Sequence, residues 1–410
     1  MWRLRNTIQR YAWGSRDAIA GLQGRPVPTE QPEAELWMGA HARGPSTLVG
    51  DGDRSLRDAI EAEPEAMLGA ICRERFEGRL PFLLKVLAAA EPLSLQAHPD
   101  QARAREGFER EDAAGVERDA PHRNYRDPYA KPELVCALGP FAALCGFRSI
   151  EDTRALVEAL AVPALRACAE PLWSMPPGPA VATVVGDLLT QPQPGPVVDA
   201  VVEAAARRSD GPWARERAWV VRLGERYPGD PGVVVAMLLN LVELRAGEAL
   251  FLSAGRLHCY LEGNAVEIMG SSDNVLRGGL TPKHVDVPEL LDVLDRHVGS
   301  VPVLRPRAIS EHEAIYDTPA TAFTLGRIEL RAAEHWSAVP RGPEIVLCTA
   351  GEVRLDHGAR SVSLGPGDSA FVPASSLPYV ARTEPGVRSE ATLGATLFRA
   401  TVGRDVVARS

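Results

Sequence analysis

In the segment LSLQAHPD, Gln96 and His98 stand two residues apart. On a strand that spacing puts both side chains on one face, where a single ion can meet both. Taken alone such a pair reads as a solvated face, but its surroundings are apolar. Glu133 follows Lys131 and Pro132 at the head of the apolar run ELVCAL, a place where an edge-strand ion pair is the plain alternative. His258 follows a glycine turn in SAGRLHCYL, which equally suits a hydrogen-bonded core histidine. Together the four offer two imidazole nitrogens, an amide oxygen and a carboxylate oxygen. That is a tetrahedral shell suited to Zn2+, with bonds of about 2.0 to 2.2 Å. With a single carboxylate the centre stays net positive, so it can polarise a carbonyl and stabilise an oxyanion.

The elements that must position these groups are mainly β. Residues 1–55 alternate short apolar segments with Gly and Pro, as strands and turns do. Helical patterning follows from Ser55 to Ala70 and again from Asp100, each with its own cap residue. The strand-like FLLKVLAAAEPLSLQAH lies between them. From Glu151 to about Arg245 the apolar spacing is helical, ending in VVVAMLLNLVELR with Asp230 as cap and Pro231 in the first turn. After Gly247 the chain returns to strands. EGNAV reads as a turn leading into a strand that carries Glu267. SSDNVLRGGLTPK reads as a loop able to fold over a ligand, with Asp273, Asn274, Gly278 and Gly279 in turn roles.

A weak repeat aligns GEALFLSAGRLH with GDSAFVPASSLP, matching Gly247 to Gly367, Glu248 to Asp368, Phe251 to Phe371 and Leu257 to Leu377. His258 then falls on Pro378, which has no ligand atom, so the second copy is expected to be a metal-free jelly roll with a structural or gating role. The expected division is a catalytic unit of 1–150 and 246–320, a helical insertion of 151–245 and a C-terminal jelly roll of 321–410.

Composition excludes several classes. A net charge of -9 provides no basic footprint for nucleic acid. The longest apolar stretch, Gly232 to Val242, is about half the roughly 20 residues a membrane span needs. The start MWRLRNTIQRYAWG lacks the apolar segment of a secretory signal. The 6 cysteines show no CxxC spacing, which points to a reduced, cytoplasmic setting. Neither a GxxxxGK[ST] loop nor a GxGxxG fingerprint is present, so nucleotide use is not supported. No coiled-coil seam points to an assembly, and a monomer is compatible with this. Of 45 basic residues only Lys85, Lys131 and Lys283 are lysine. Arginine serves the surface, and the three lysines mark places that need a compact ammonium.

The motifs YAWGS, AELWMGAH, PFLLKVL, LSLQAHPD, YAKPELVCAL and GNAVEIMGSSDNVLRGGLTPKH resemble those of the type I mannose-6-phosphate isomerase family over most of the first 300 residues. The resemblance implies a cupin core with a helical insertion and a further jelly roll. It also implies one Zn2+ per chain and interconversion of mannose 6-phosphate and fructose 6-phosphate. It places the metal ligands on Gln96, His98, Glu133 and His258, and a pocket on Trp13, Lys85, Ser94, Lys131, Glu267, Asp273, Arg277 and Lys283. Within that frame Arg277 supports developing negative charge, and Glu267 carries the proton with Lys131 as a competitor. Lys85, Lys283 and Ser94 grip the phosphate. Three features depart from the family pattern: Ser253, Cys259 after the ligand histidine, and ARG following AELWMGAH. Two other readings fit a small barrel with such ligands. One is an Fe(II) cupin oxygenase, and the other is a sugar-phosphate sensor that binds without turnover.

Overall fold

Strand Phe82–Ala89 is buried along its whole length. Leu84, Val86 and Ala88 join the main core on one side, while Leu87 and Ala89 join a second cluster on the other. Alternation therefore puts Lys85, the strand's one charged residue, on the same side as Leu87. This strand lies inside a nine-stranded antiparallel sheet, paired to His258–Gly270 on one edge and to Glu35–Met38 on the other. The long strand Glu133–Phe147 also pairs with His258–Gly270. Short strands Gln96–Ala97 and Leu276–Arg277 continue beyond it. The computed structural model describes residues 1–339, 342–376, 378–383 and 394–403, so Leu377 of the repeat lies outside the described residues.

Helix starts follow the sequence where a side chain can cap. Ser55 accepts from the Asp58 amide and Asp100 from the Arg103 amide. From Ile150 to Ala236 helices build a core in which Leu156, Val184, Val201 and Leu223 meet, and it is continuous with Leu144 and Leu261 of the nine-stranded sheet.

Two local readings are corrected. The helix expected to run to Arg245 ends at Ala236, and Leu239–Leu244 is a strand. It pairs with Glu133–Phe147, and Asn240 donates to the carbonyls of Cys145, Gly146 and Gly299. A run that is apolar all round has no periodicity to separate buried helix from buried strand, so the sheet edge decides. EGNAV is not a turn either: it lies inside His258–Gly270, whose register shifts at Tyr260/Glu262 and Gly263/Ala265. Gly263 makes the bulge, with φ of 119° and a position where a Cβ would come within 2.6 Å of the Pro140 carbonyl.

The repeat is real in three dimensions. Leu252 pairs with Glu133 and Phe251 with Leu134, just as Val372 pairs with Glu344 and Phe371 with Ile345. The second copy belongs to an eight-stranded sheet, which the N-terminal strand Trp2–Arg5 completes by pairing with Ser369–Val372. Phe371 and Phe398 of that sheet share one core with Leu84 and Val266 of the first. On its other face Val346 and Leu397 pack against Leu355 and Ala381 of a four-stranded sheet.

Inside the eight-stranded sheet, Arg399 is about 1% exposed and lies 2.7 Å from Glu313 and 2.5 Å from Glu344. Tyr379 donates to the other oxygen of Glu344 at 2.8 Å. Removing one partner from such a buried set strands the remaining charges in a poorly solvating interior. Arg399→Ala is expected to cost about 3–5 kcal/mol in urea unfolding, whereas a loss under about 1 kcal/mol would mean the triad is not held as described.

Candidate metal centre

His98, Glu133 and His258 are brought together from three distant segments, with ligand atoms all within 4.8 Å of one another. Glu133 is the hub. Its Oε1 lies 3.2 Å from His98 Nε2 and its Oε2 lies 3.4 Å from His258 Nε2. The far nitrogen of each ring is committed to a backbone carbonyl, His98 Nδ1 to Asn274 O at 2.8 Å and His258 Nδ1 to Arg256 O at 2.8 Å. A carbonyl only accepts, so both Nδ1 atoms carry the proton and both Nε2 atoms face a carboxylate oxygen. His98 Nε2 is buried without a hydrogen-bond partner. Burial first, then Lys131, pushes the His98 pKa down to about 4, so the ring is neutral at ordinary pH.

Acceptors facing acceptors in a dry site repel unless a cation lies between them. One ligand atom from each of His98, Glu133 and His258 lies within 4.8 Å of the others, near enough for one ion with bonds of about 2.1 Å to draw them together. The donor set therefore fits a divalent ion. Gln96 is the cross-strand neighbour of His258, and its amide nitrogen donates to Ser94 Oγ at 3.1 Å. That leaves the amide oxygen as the donor Gln96 has to offer.

Charge balance says the same. Glu35, Glu133 and Glu267 are buried with Lys85 and Lys131, so three carboxylates face two ammonium groups. Lys131 Nζ is 3.0 Å from Glu133 Oε1. Burial alone would raise the Glu133 carboxyl, but Lys131 and the histidines outweigh it and hold it well below the usual range. Lys85 Nζ lies between Glu267 at 3.2 Å and Glu35 at 3.4 Å. Burial disfavours this ammonium, yet Glu35 and Glu267 hold it above the ordinary lysine value. Burial raises the Glu267 carboxyl, and Lys85 offsets this only in part. Tyr260 donates to Glu267 at 2.9 Å and sits 3.5 Å from Glu133, joining the two carboxylates.

These groups line a cavity of about 600 Å3, with Trp13, Ser94, Asp273, Arg277 and Lys283 also in its wall. Every expected site residue except His98 lines it, and His98 sits buried directly behind Glu133. Trp13 stacks on Tyr11. Arg277 stands opposite Gln96 in the strand pairing. Asp273 is held by Arg43 at 3.3 Å and His41 at 3.5 Å. Burial and then Arg126 lower the Arg277 guanidinium, and burial followed by Arg277, Arg43 and Arg126 lowers Lys283. Positive charge from Arg43, Arg126 and Arg277 thus bears on Lys283 at the mouth, and that from Arg126 bears on Arg277.

The sequence reading did not single out Glu35, Arg43, Arg126 or Tyr260. Tyr260 had a signal, since it lies two residues past His258 on one strand and so shares its face. Arg43 had one in the ARG that departs from the family pattern after AELWMGAH, and Arg126 had none among so many arginines.

The family model for the phosphomannose isomerase type I catalytic domain matches residues 1–150. The chain is 41% identical over 383 residues to mannose-6-phosphate isomerase of Salmonella typhimurium, covering 92% of this chain and 96% of that one. It is 39% identical over 387 residues to the Escherichia coli protein of the same name, covering 93% and 97%. A solved, zinc-bound mannose 6-phosphate isomerase superposes with a TM-score of 0.86 at 37% identity, covering 98% of this chain and 99% of that one.

Removing the hub should abolish the site. Isothermal titration of the apo chain with a divalent transition metal is expected to show one strong site, weakened at least a hundredfold in Glu133→Gln and in His258→Ala. Tight binding retained in both would mean the ion sits elsewhere.

Proposed function

Because this chain belongs to the type I phosphomannose isomerase family, we propose that it interconverts D-mannose 6-phosphate and D-fructose 6-phosphate, with zinc held by Gln96, His98, Glu133 and His258. The carrying observation is one cavity with acceptor lone pairs converging at its inner end and cations crowding its mouth. Its size suits a hexose phosphate. When bound, zinc supplies a Lewis acid for the oxygens on the first two sugar carbons.

The chain's own residues divide the remaining work. An aldose-ketose isomerisation moves one proton between neighbouring carbons, so a single carboxylate reaching both can take it and return it. We assign this to Glu267, which burial makes more basic than an ordinary carboxylate and which Tyr260 and Lys85 hold in place. Lys131, beside Glu133, is the competing carrier. Arg277, next to Gln96 across the strands, supports negative charge developing on the substrate oxygens.

The phosphate belongs at the mouth, where Arg43, Arg126 and Arg277 bear on Lys283 and a dianion would relieve the repulsion they exert on it. Lys85 is enclosed by Glu35 and Glu267, so its role is to neutralise the proton carrier rather than to grip phosphate. Ser94 acts by orienting the Gln96 amide, and Trp13 with Asp273 shapes the wall. The cysteines, free thiols throughout, suit the reducing cytoplasm, where we place the enzyme.

A coupled assay of mannose 6-phosphate conversion should show no activity in the apo chain and recovery with zinc. Glu267→Gln is expected to lower kcat by about 10²–10⁴ with KM changed only a few-fold. Near-normal kcat there, with collapse in Lys131→Met, would transfer the proton to Lys131. Lys283→Met should instead raise KM for the phosphorylated sugar about tenfold or more with kcat largely kept, and an unchanged KM would remove Lys283 from the phosphate site.

A further inference from the structure

Asn274 is fully buried, in a segment whose sequence reads as turn chemistry. Its side-chain oxygen accepts from the Arg126 amide at 2.7 Å and from the Asp127 amide at 3.3 Å. Its side-chain nitrogen donates to the carbonyls of Asp127 at 2.7 Å and Tyr129 at 2.9 Å. One amide therefore fastens four backbone groups of the segment that leads through Lys131 to Glu133. Its own backbone carbonyl is the acceptor that fixes the His98 ring. Neighbouring bonds reinforce the clamp: Ser272 Oγ donates to Tyr129 O and the Asp273 amide donates to Asp127.

A turn residue needs one or two such bonds with water close by. Asn274 has no exposure and makes its bonds across some 145 residues of chain. The segments it joins carry Arg126 at the cavity mouth, Lys131 and Glu133 at the inner end, and Arg277 three residues onward. We infer that Asn274 is a positioning residue that sets the metal ligand His98 and the anion-binding Arg126 in one rigid frame. The inference rests on the metal and phosphate reading given above and deepens it. Residues that orient metal-bound imidazoles govern how long the ion stays, so the consequence reaches beyond fold stability.

The test measures zinc release from the loaded full chain into an excess of chromophoric chelator, beside thermal unfolding and steady-state kinetics. Asn274→Ala is expected to release zinc about tenfold to a hundredfold faster and to raise KM for mannose 6-phosphate several-fold. Tyr379→Phe, which loses only its bond to Glu344 in the other sheet, is the stability control. It should lower Tm while releasing zinc at the wild-type rate. Wild-type zinc release from Asn274→Ala, with Tm lowered as in the control, would reduce Asn274 to a structural residue and overturn the inference. If Asn274→Ala cannot be recovered folded, Asn274→Asp serves. It keeps the acceptor for Arg126 and Asp127 but loses both donor bonds, and wild-type release from it is equally fatal. A wild-type chain that holds zinc but does not isomerise would defeat the proposed reaction and leave this inference standing. A wild-type chain that holds no zinc would overturn both.

Discussion

A neutral His98 ring pointing its lone pair at a buried carboxylate, with His258 facing the other oxygen of the same group, is an arrangement that costs energy on its own. It persists because each ring is tied from behind, His98 to the Asn274 carbonyl and His258 to the Arg256 carbonyl. Neither ring can turn its proton toward Glu133 without giving up that bond. The fold therefore builds a local demand for positive charge and enforces it through backbone atoms. Strands Glu133–Phe147 and His258–Gly270, hydrogen-bonded to each other, carry two of the three groups at opposite ends of their shared ladder.

Charge is sorted along the cavity. Glu35, Glu133 and Glu267 sit with two of the three lysines at the inner end, and arginines crowd the mouth with the third lysine and Asp273. In so arginine-rich a chain, a compact ammonium that slips between Glu35 and Glu267, or beside Glu133, does what a planar guanidinium of larger span would do less well. The mouth has the opposite need, a set of donors for a multivalent anion, and there Arg43, Arg126 and Arg277 serve.

What the sequence made legible was local. The i, i+2 pair of Gln96 and His98, the caps at Ser55 and Asp100, and the strand around Lys85 all depend on spacing that a single segment carries. What it hid was set by partners far away. Leu239–Leu244 is apolar on all sides and becomes strand only because Glu133–Phe147 offers it an edge. EGNAV looks like a turn because Gly and Asn favour one, yet the sheet spends Gly263 on a bulge. Lys85 reads from the sequence as a phosphate ligand, because nothing in its segment announces that Glu35 and Glu267 lie around it. Asn274 looked like a common turn residue because nothing in its neighbourhood announces the segment 126–129.

The triad of Glu313, Arg399 and Glu344 acquires a meaning from strand registers. Arg399 pairs with Val346 and Gly326, as Glu267 pairs with Val135 and Lys85. Glu344 takes the place of Glu133, and Glu313, opposite Ile328, takes the place of Glu35, opposite Leu87. The second sheet thus repeats two acids of the first, sets a base where the first has Glu267, and has Gly326 where the first has Lys85. In one half a carboxylate and two imidazoles converge on an open cavity, while in the other a tethered guanidinium fills the space between the acids.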